Sequence, residues 1–226
     1  MQNIKLVIFD MAGTVVDEDN VVYKTLHMAI NKKGYNLTLD FVLEFSAGKE
    51  KHQAIRDILE EIKAENFNEK AATIFEDFKD MLSEAYNRLT VSSYAGVEDL
   101  IQDLKKVNIK VALNTGYDKN TAQLLLDKMR WRLGVHYDVL VTADDVEKGR
   151  PNPDMIFEAM KILDIKDSEK VLKAGDSIID IEEGKNASCG ITVGVTTGAH
   201  TKVQLESANP THVLGSLKEL KKILLD

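Results

Sequence analysis

The chain has 226 residues, of which 44% are hydrophobic, and carries a formal net charge of −8. That length supports one large α/β unit plus a smaller insert, and the acidic balance argues against a nucleic-acid binder, which carries a basic stripe. The single cysteine, Cys189, excludes an internal disulfide and fits a reducing compartment.

In chain order, Ile4–Phe9 (IKLVIF) is apolar on both faces and stops at Asp10, which predicts a buried parallel strand. It is too short, and too soon followed by an acid, for a secretion signal. No run reaches the roughly 18 apolar residues of a membrane span. The expectation is a soluble cytoplasmic protein with no membrane or nucleic-acid partner. Residues 17–93 contain no strand pattern and no proline. Helices are predicted there over Val21–Lys33, Leu39–Phe45, Lys51–Ala64 and Glu69–Leu89; in the third, Ile55, Ile58, Leu59 and Ile62 recur at helical spacing. Hinges are placed at Val16–Asp19 and Val91–Gly96.

The pattern then alternates. Helix Val97–Lys106, with Val97, Leu100, Ile101 and Leu104 on one face, precedes strand Ile109–Leu113. Helix Thr121–Met129, strand Tyr137–Val141, helix Pro153–Leu163 and strands Val171–Ala174 and Ile191–Val195 follow, and Ser216–Leu225 reads as a closing amphipathic helix. Strand–helix alternation implies right-handed crossovers and an open parallel sheet. The predicted fold is α/β: a doubly wound, Rossmann-like parallel sheet formed by residues 1–16 and 94–226, with a helical cap of residues 17–93 inserted after the first strand.

Each turn after a strand carries polar chemistry. Asp10 in FDMAGT lies where a side chain reaches the crevice beyond the strand ends, and Gly13 and Thr14 allow a tight turn whose amides can hold phosphate oxygens. Thr115-Gly116 offers a hydroxyl and an amide to an oxyanion. Arg150, held between Gly149 and Pro151, presents a planar fork to phosphate and carboxylate. Asp176 and Asp180, spaced by four, join Asp10 in a hard oxygen site suited to Mg²⁺. Taken singly, each is also an ordinary cap, turn or surface charge; together they supply a nucleophile, an anion donor, a cation and metal ligands along one sheet edge. His27 reads as a core histidine, His52 as a cap residue facing substrate or solvent, Cys189 as packing at a helix end and Trp131 as a contact between subdomains.

As a set, FDMAGTVVD, LNTGY, KGRPNPD and GDSIIDIEEG resemble the haloacid dehalogenase superfamily, and within it the phosphonoacetaldehyde hydrolase (phosphonatase) group and its phosphonatase-like relatives. The resemblance implies that Asp10 becomes an aspartyl phosphate. It implies that Asp10, the backbone carbonyl of Ala12 and Asp176 contact Mg²⁺, with Asp180 behind them. Thr115 and Gly116 would bind phosphoryl oxygens, and Arg150 would stand where most of the superfamily has lysine. Typical phosphatases of the superfamily carry an acid two residues after the nucleophile; Ala12 removes it, which is the phosphonatase-type pattern. Lys51, three residues after Gly48, falls where phosphonatase keeps the lysine that forms a Schiff base with its aldehyde substrate, and Lys49 is adjacent.

The expected activity is Mg²⁺-dependent hydrolysis of a small organophosphate or phosphonate by a monomer or homodimer. The alternatives are phosphonoacetaldehyde hydrolysis through a cap-lysine imine, and a catalytically weak phosphate- or metabolite-binding protein.

Overall fold

The computed structural model describes residues 3–225. Its elements begin with β1 (Leu6–Asp10) and a short β2 (Val16–Asp17). Helices α1 (Val21–Asn31), α2 (Leu39–Ser46), α3 (Lys51–Glu61) and α4 (Phe67–Arg88) follow, then the two-residue β3 (Ser92–Ser93). The rest runs α5 (Val97–Lys106), β4 (Lys110–Asn114), α6 (Lys119–Lys128), β5 (Val139–Val141), α7 (Asp154–Ile162), β6 (Val171–Gly175), α8 (Ile178–Asn186), β7 (Ile191–Val195), α9 (Lys202–Ser207), β8 (His212–Leu214) and α10 (Leu220–Leu224).

One six-stranded parallel sheet has the order β5-β4-β1-β6-β7-β8. β1 is buried along its whole length because both faces are covered. Its alternation splits the core: Leu6 and Ile8 pack with Met155, Ile156 and Ala159 of α7, while Val7 and Phe9 join the cluster that contains α5 and α6. α5 reaches that cluster through the predicted face Val97, Leu100, Ile101 and Leu104.

The chain leaves β1 toward β4 and β5, then returns to β6, β7 and β8 on the other side. That reversal opens a crevice beyond the carboxyl ends of β4, β1 and β6. The register sets Asp10 beside Asn114 and Phe9 beside Ala174, so the residues after those three strands emerge at one level.

Helices α1 to α4 pack on one another, α1 against α4 and α2, and α3 against α2 and α4. Both connections to the sheet run side by side: β2 and β3 pair antiparallel, Val16 with Ser93 and Asp17 with Ser92. Thr38 and Glu50 cap α2 and α3 by accepting from backbone amides.

The differences from the sequence reading lie in short elements. β8, α9 and the β2–β3 ribbon were not anticipated, because two- or three-residue strands carry no period. α6 starts at Lys119, since Asp118 accepts from the Thr121 amide. The closing helix is a 3₁₀ turn, Leu217–Glu219, leading into a five-residue α10. The Trp131 indole N–H donates to Glu98 of α5 at 3.0 Å and its ring stacks on His136. Among the described residues no helix is long and apolar enough to cross a membrane.

Phe9 is fully buried at the centre of the sheet. Phe9→Ala is expected to lower the unfolding free energy by about 3–5 kcal/mol, read from urea denaturation. A loss under about 1 kcal/mol would contradict this account of the core.

Candidate active site

Three carboxylates from two adjacent strand ends meet. Asp10 ends β1, Asp176 follows β6, and Asp180 sits in the first turn of α8, where Ser177 caps the helix. One oxygen from each lies within 4.8 Å of the others, and all three residues are buried. Gly13 makes the approach possible: at φ 79 it takes a conformation that side chains rarely adopt, and a Cβ there would overlap the Asp176 carboxylate. Asp176 also accepts from the Ala199 amide at 2.6 Å and, at 3.4 Å, from the Thr14 hydroxyl.

Arg150 Nη1 bridges Asp10, at 2.8 Å, and Asp180. Behind it, Lys173 Nζ lies 3.0 Å from Asp180, 3.2 Å from Glu183 and 2.6 Å from Asn114 Oδ1, while Asn114 donates to both Glu183 oxygens. Burial opposes ionisation of Asp180, but the Lys173 and Arg150 charges overcome it and hold the carboxyl at about 2. Asp10 is pushed up by burial and by Asp180, against the pull of Arg150. Asp176 is pushed well above the usual carboxylate range by burial and by both neighbouring aspartates. Two carboxylates raised by burial and mutual repulsion, with hard oxygen donors converging, are the setting that a divalent cation relieves.

A cavity of about 20 Å³ lies against Asp10, Ala12, Tyr23, Lys51, Thr115 and Arg150, among others. The Tyr117 amide donates to Thr115 Oγ1 at 3.2 Å, which leaves the hydroxyl proton of Thr115 to give away. Arg150 Nε is buried without a hydrogen-bond partner. Both are donors waiting for an anion.

The helical segment forms one wall of this cavity. Gly48, at φ 74, brings the loop before α3 against Ser177 and Ile179, and the Lys49 carbonyl lies over Gly116. Lys51 Nζ donates to the Lys49 carbonyl at 2.6 Å and sits 5.1 Å from the centre of the Tyr23 ring. Burial and the Arg150 charge draw the Lys51 amine down to about 8.

Several sequence expectations find their places here. Asp10, Ala12, Thr115, Gly116, Arg150 and Lys51 share the cavity. The Lys49 ammonium is committed to Asp57 at 2.6 Å instead. The amides of Gly13 and Thr14, expected to face phosphate, close their own turn on the carbonyls of Val16 and Met11. His27 bonds the Leu37 carbonyl and Asn31, as a structural histidine does. The His52 ring packs tilted against Phe75, 5.2 Å between centroids, and lines an open groove of about 770 Å³ beside the cavity. Burial raises the Cys189 thiol to about 12, so it is an unreactive packing group. Lys173, Glu183, Glu18, Tyr23 and Tyr86 were not singled out from sequence. A lysine inside the otherwise apolar VLKAG and two acids three apart in DIEE were the available signals for the first pair.

The sequence model of the family described as haloacid dehalogenase-like hydrolase matches residues 7–196. The chain belongs to that family. It is a hydrolase of the phosphatase- or phosphonatase-like kind. Phosphonoacetaldehyde hydrolase of Latilactobacillus sakei is 32% identical over 86% of this chain and 76% of its own length. Pyrophosphatase PpaX of Bacillus mycoides is 29% identical over 98% of this chain and 97% of its own. A phosphonoacetaldehyde hydrolase-like protein from Oleispira antarctica has the same fold, with a TM-score of 0.84 at 22% identity over 98% of this chain and 91% of that one.

Within this member of the family, removing the Lys173 charge leaves Asp180 and Glu183 facing each other in a dry interior. Lys173→Met is expected to cost about 3–5 kcal/mol in urea unfolding, and adding Glu183→Gln should recover part of the loss. A single variant as stable as wild type would show that the network does not bear on folding.

Proposed function

We propose that this hydrolase cleaves a small organophosphate or phosphonate in a Mg²⁺-dependent reaction through an aspartyl phosphate on Asp10. The observation that carries the reading is one small cavity lined by Asp10, Thr115 and Arg150 with its unpartnered Nε, beside three converging carboxylates. Residues 17–93 act as the cap over a core of residues 1–16 and 94–226. Asp10, Asp176 and the Ala12 carbonyl would hold the cation, with Asp180 supporting them. When bound, Mg²⁺ supplies the positive charge that lets a carboxylate approach an anionic phosphoryl group.

Asp10 attacks phosphorus in line, and the bond to the organic fragment breaks with its electron pair leaving on that fragment. Thr115, the Gly116 amide and Arg150 hold the phosphoryl oxygens as charge spreads. Water then attacks phosphorus, frees phosphate and restores the Asp10 carboxylate. Ala12 offers no acid to the departing fragment, so the substrate class is one whose leaving group needs little protonation: an acyl phosphate, an enol or an enamine.

A second reading is favoured by Lys51. Its amine lies in the same cavity as Asp10 and is drawn down to about 8, so a neutral, nucleophilic fraction exists near neutrality. Condensation with a substrate aldehyde would release water and form an imine that accepts the electrons of a C–P bond. This is the activity named for the Latilactobacillus sakei relative. Borohydride with phosphonoacetaldehyde should then inactivate the enzyme and tag Lys51, and the absence of an adduct removes this reading.

Asp10→Asn is expected to abolish phosphate release while keeping the wild-type melting profile, and excess chelator should silence the wild type reversibly. Turnover by the folded variant, or full activity in chelator, would refute the assignment. Wild type should prefer acetyl phosphate over an alkyl phosphate. Ala12→Asp should raise kcat/KM for the alkyl ester selectively, by up to about 10²–10⁴ where the turn accepts the carboxylate. Equal rates on both substrates in wild type would dismiss the leaving-group filter.

A further inference from the structure

Dephosphorylation of Asp10 needs a base, and Ala12 cannot be one. If the organic fragment leaves in line with Asp10, the attacking water enters from the side it vacated, the side closed by the cap. Tyr117 lines both the small cavity there and the larger open groove. Its hydroxyl is 3.0 Å from that of Tyr86, on α4. The Tyr86 hydroxyl is in turn 3.1 Å from Glu18 Oε2. Glu18 follows β2 directly, is 1% exposed, accepts the Val22 amide at 3.2 Å, and keeps its other oxygen buried without a partner. A chain of two hydroxyls ending in a carboxyl can run in either direction, because each phenol donates one proton and accepts one.

Resting on the aspartyl-phosphate reading above, the geometry points to Glu18, Tyr86 and Tyr117 as a proton relay that takes the proton of the attacking water. As water adds to phosphorus, its proton passes to the Tyr117 oxygen, the Tyr117 proton to Tyr86 and the Tyr86 proton to Glu18. The products are phosphate, free Asp10 carboxylate and protonated Glu18. That proton leaves by the reverse path, to a carbanion-like fragment of the next substrate or out through the groove that Tyr86 and Tyr117 line. Tyr86 is a positioning residue for Glu18's proton, and Tyr117 is the member of the relay that lines the cavity beside Asp10.

The surroundings suit a base working above neutrality. Burial outweighs the hydrogen bonds from Tyr86 and Val22 and the attraction of Lys51, and Asp19 adds repulsion; together they bring the Glu18 carboxyl to about 8. Tyr23, Tyr94, Tyr86 and Tyr117 are the other titratable groups within its field. Of the nearest rivals, Lys51 lines the cavity but its Nζ donates to the carbonyls of Lys49 and Ser46, and His52 lines the groove but not the cavity. Because Glu18 is mostly protonated at neutral pH, Glu18→Gln replaces a neutral acid with a neutral isostere, and the fold should tolerate it.

The test is rapid quench with acetyl phosphate and Mg²⁺, which separates formation of the acid-stable protein-bound phosphate from its hydrolysis. In wild type, hydrolysis should speed up as pH rises through about 8. Glu18→Gln should form phosphoenzyme at the wild-type rate but hydrolyse it about 10²-fold more slowly, with the alkaline rise lost. Tyr86→Phe, which cuts the chain and leaves both ends, should do the same, and the double variant should be no slower than either single one. Hydrolysis at the wild-type rate and pH dependence in either folded variant overturns the relay and leaves the Asp10 reading standing, as does an equal slowing of both steps. A wild type that turns over without any phosphoenzyme, or releases no phosphate at all, overturns the Asp10 reading and the relay with it.

Discussion

A buried cation–carboxylate network is the constraint on which the crevice depends. Charges leave water at a cost of several kcal/mol each unless they are paired and hydrogen-bonded. Here Arg150 is shared by Asp10 and Asp180, and Lys173 by Asp180, Glu183 and Asn114. The five charged groups come from β1, the loop before α7, β6 and α8. None of them could stay buried if β4, β1 and β6 were not neighbours, so sheet order and site are one solution to one electrostatic problem. The same network pins Asp180 ionised and lets burial raise Asp10 and Asp176, which gives the carboxylates unequal characters at one strand edge.

The helical segment contributes chemistry that the sheet lacks. The sheet edge supplies the groups to which the proposed reading gives the phosphoryl side of a substrate: the Asp10 carboxylate, the Thr115 hydroxyl and the Arg150 guanidinium. Tyr23, Gly48 and Lys51 come from the other side, and the organic fragment must meet them. With alanine at position 12, the β1 turn offers no acid or base there, and the proposed relay draws on groups on or beside the helices instead. The antiparallel pairing of β2 with β3 keeps both connections together, so α1 to α4 are tethered at one edge only. Glu18, directly after β2, therefore stands where the helical segment meets the sheet, in contact with α4 through Tyr86.

Two similar proteins are named for different phosphorus compounds. One is named for cleaving a carbon–phosphorus compound and another for a phosphoanhydride, and both align over most of this chain. On the proposed reading, the inward face of the helices is where such substrates would be told apart.

Much of this was legible in the sequence, for a definite reason. Runs such as LVIFD and KVALN announce buried parallel strands because both of their faces must be apolar, and the residue ending each run necessarily stands at the sheet edge. That logic gave the fold class and marked Asp10, Thr115 and Asp176 from local pattern alone. Pairing across the chain has no local pattern. Lys173 reads as an interruption of a strand until Glu183 and Asn114 are seen around it. Glu18 reads as one acid in VDEDN until Tyr86, 68 residues later, donates to it. Lys49 and Lys51 are indistinguishable in GKEK, yet one amine turns to Asp57 and the other into the cavity. The sequence by itself determined which elements form and which residues end them, since hydrophobic period and turn chemistry act over a few residues. Which distant side chains share a dry interior, and so which charges are shifted and which donors are left waiting, was decided only when the tertiary structure brought them within a few ångströms and excluded water.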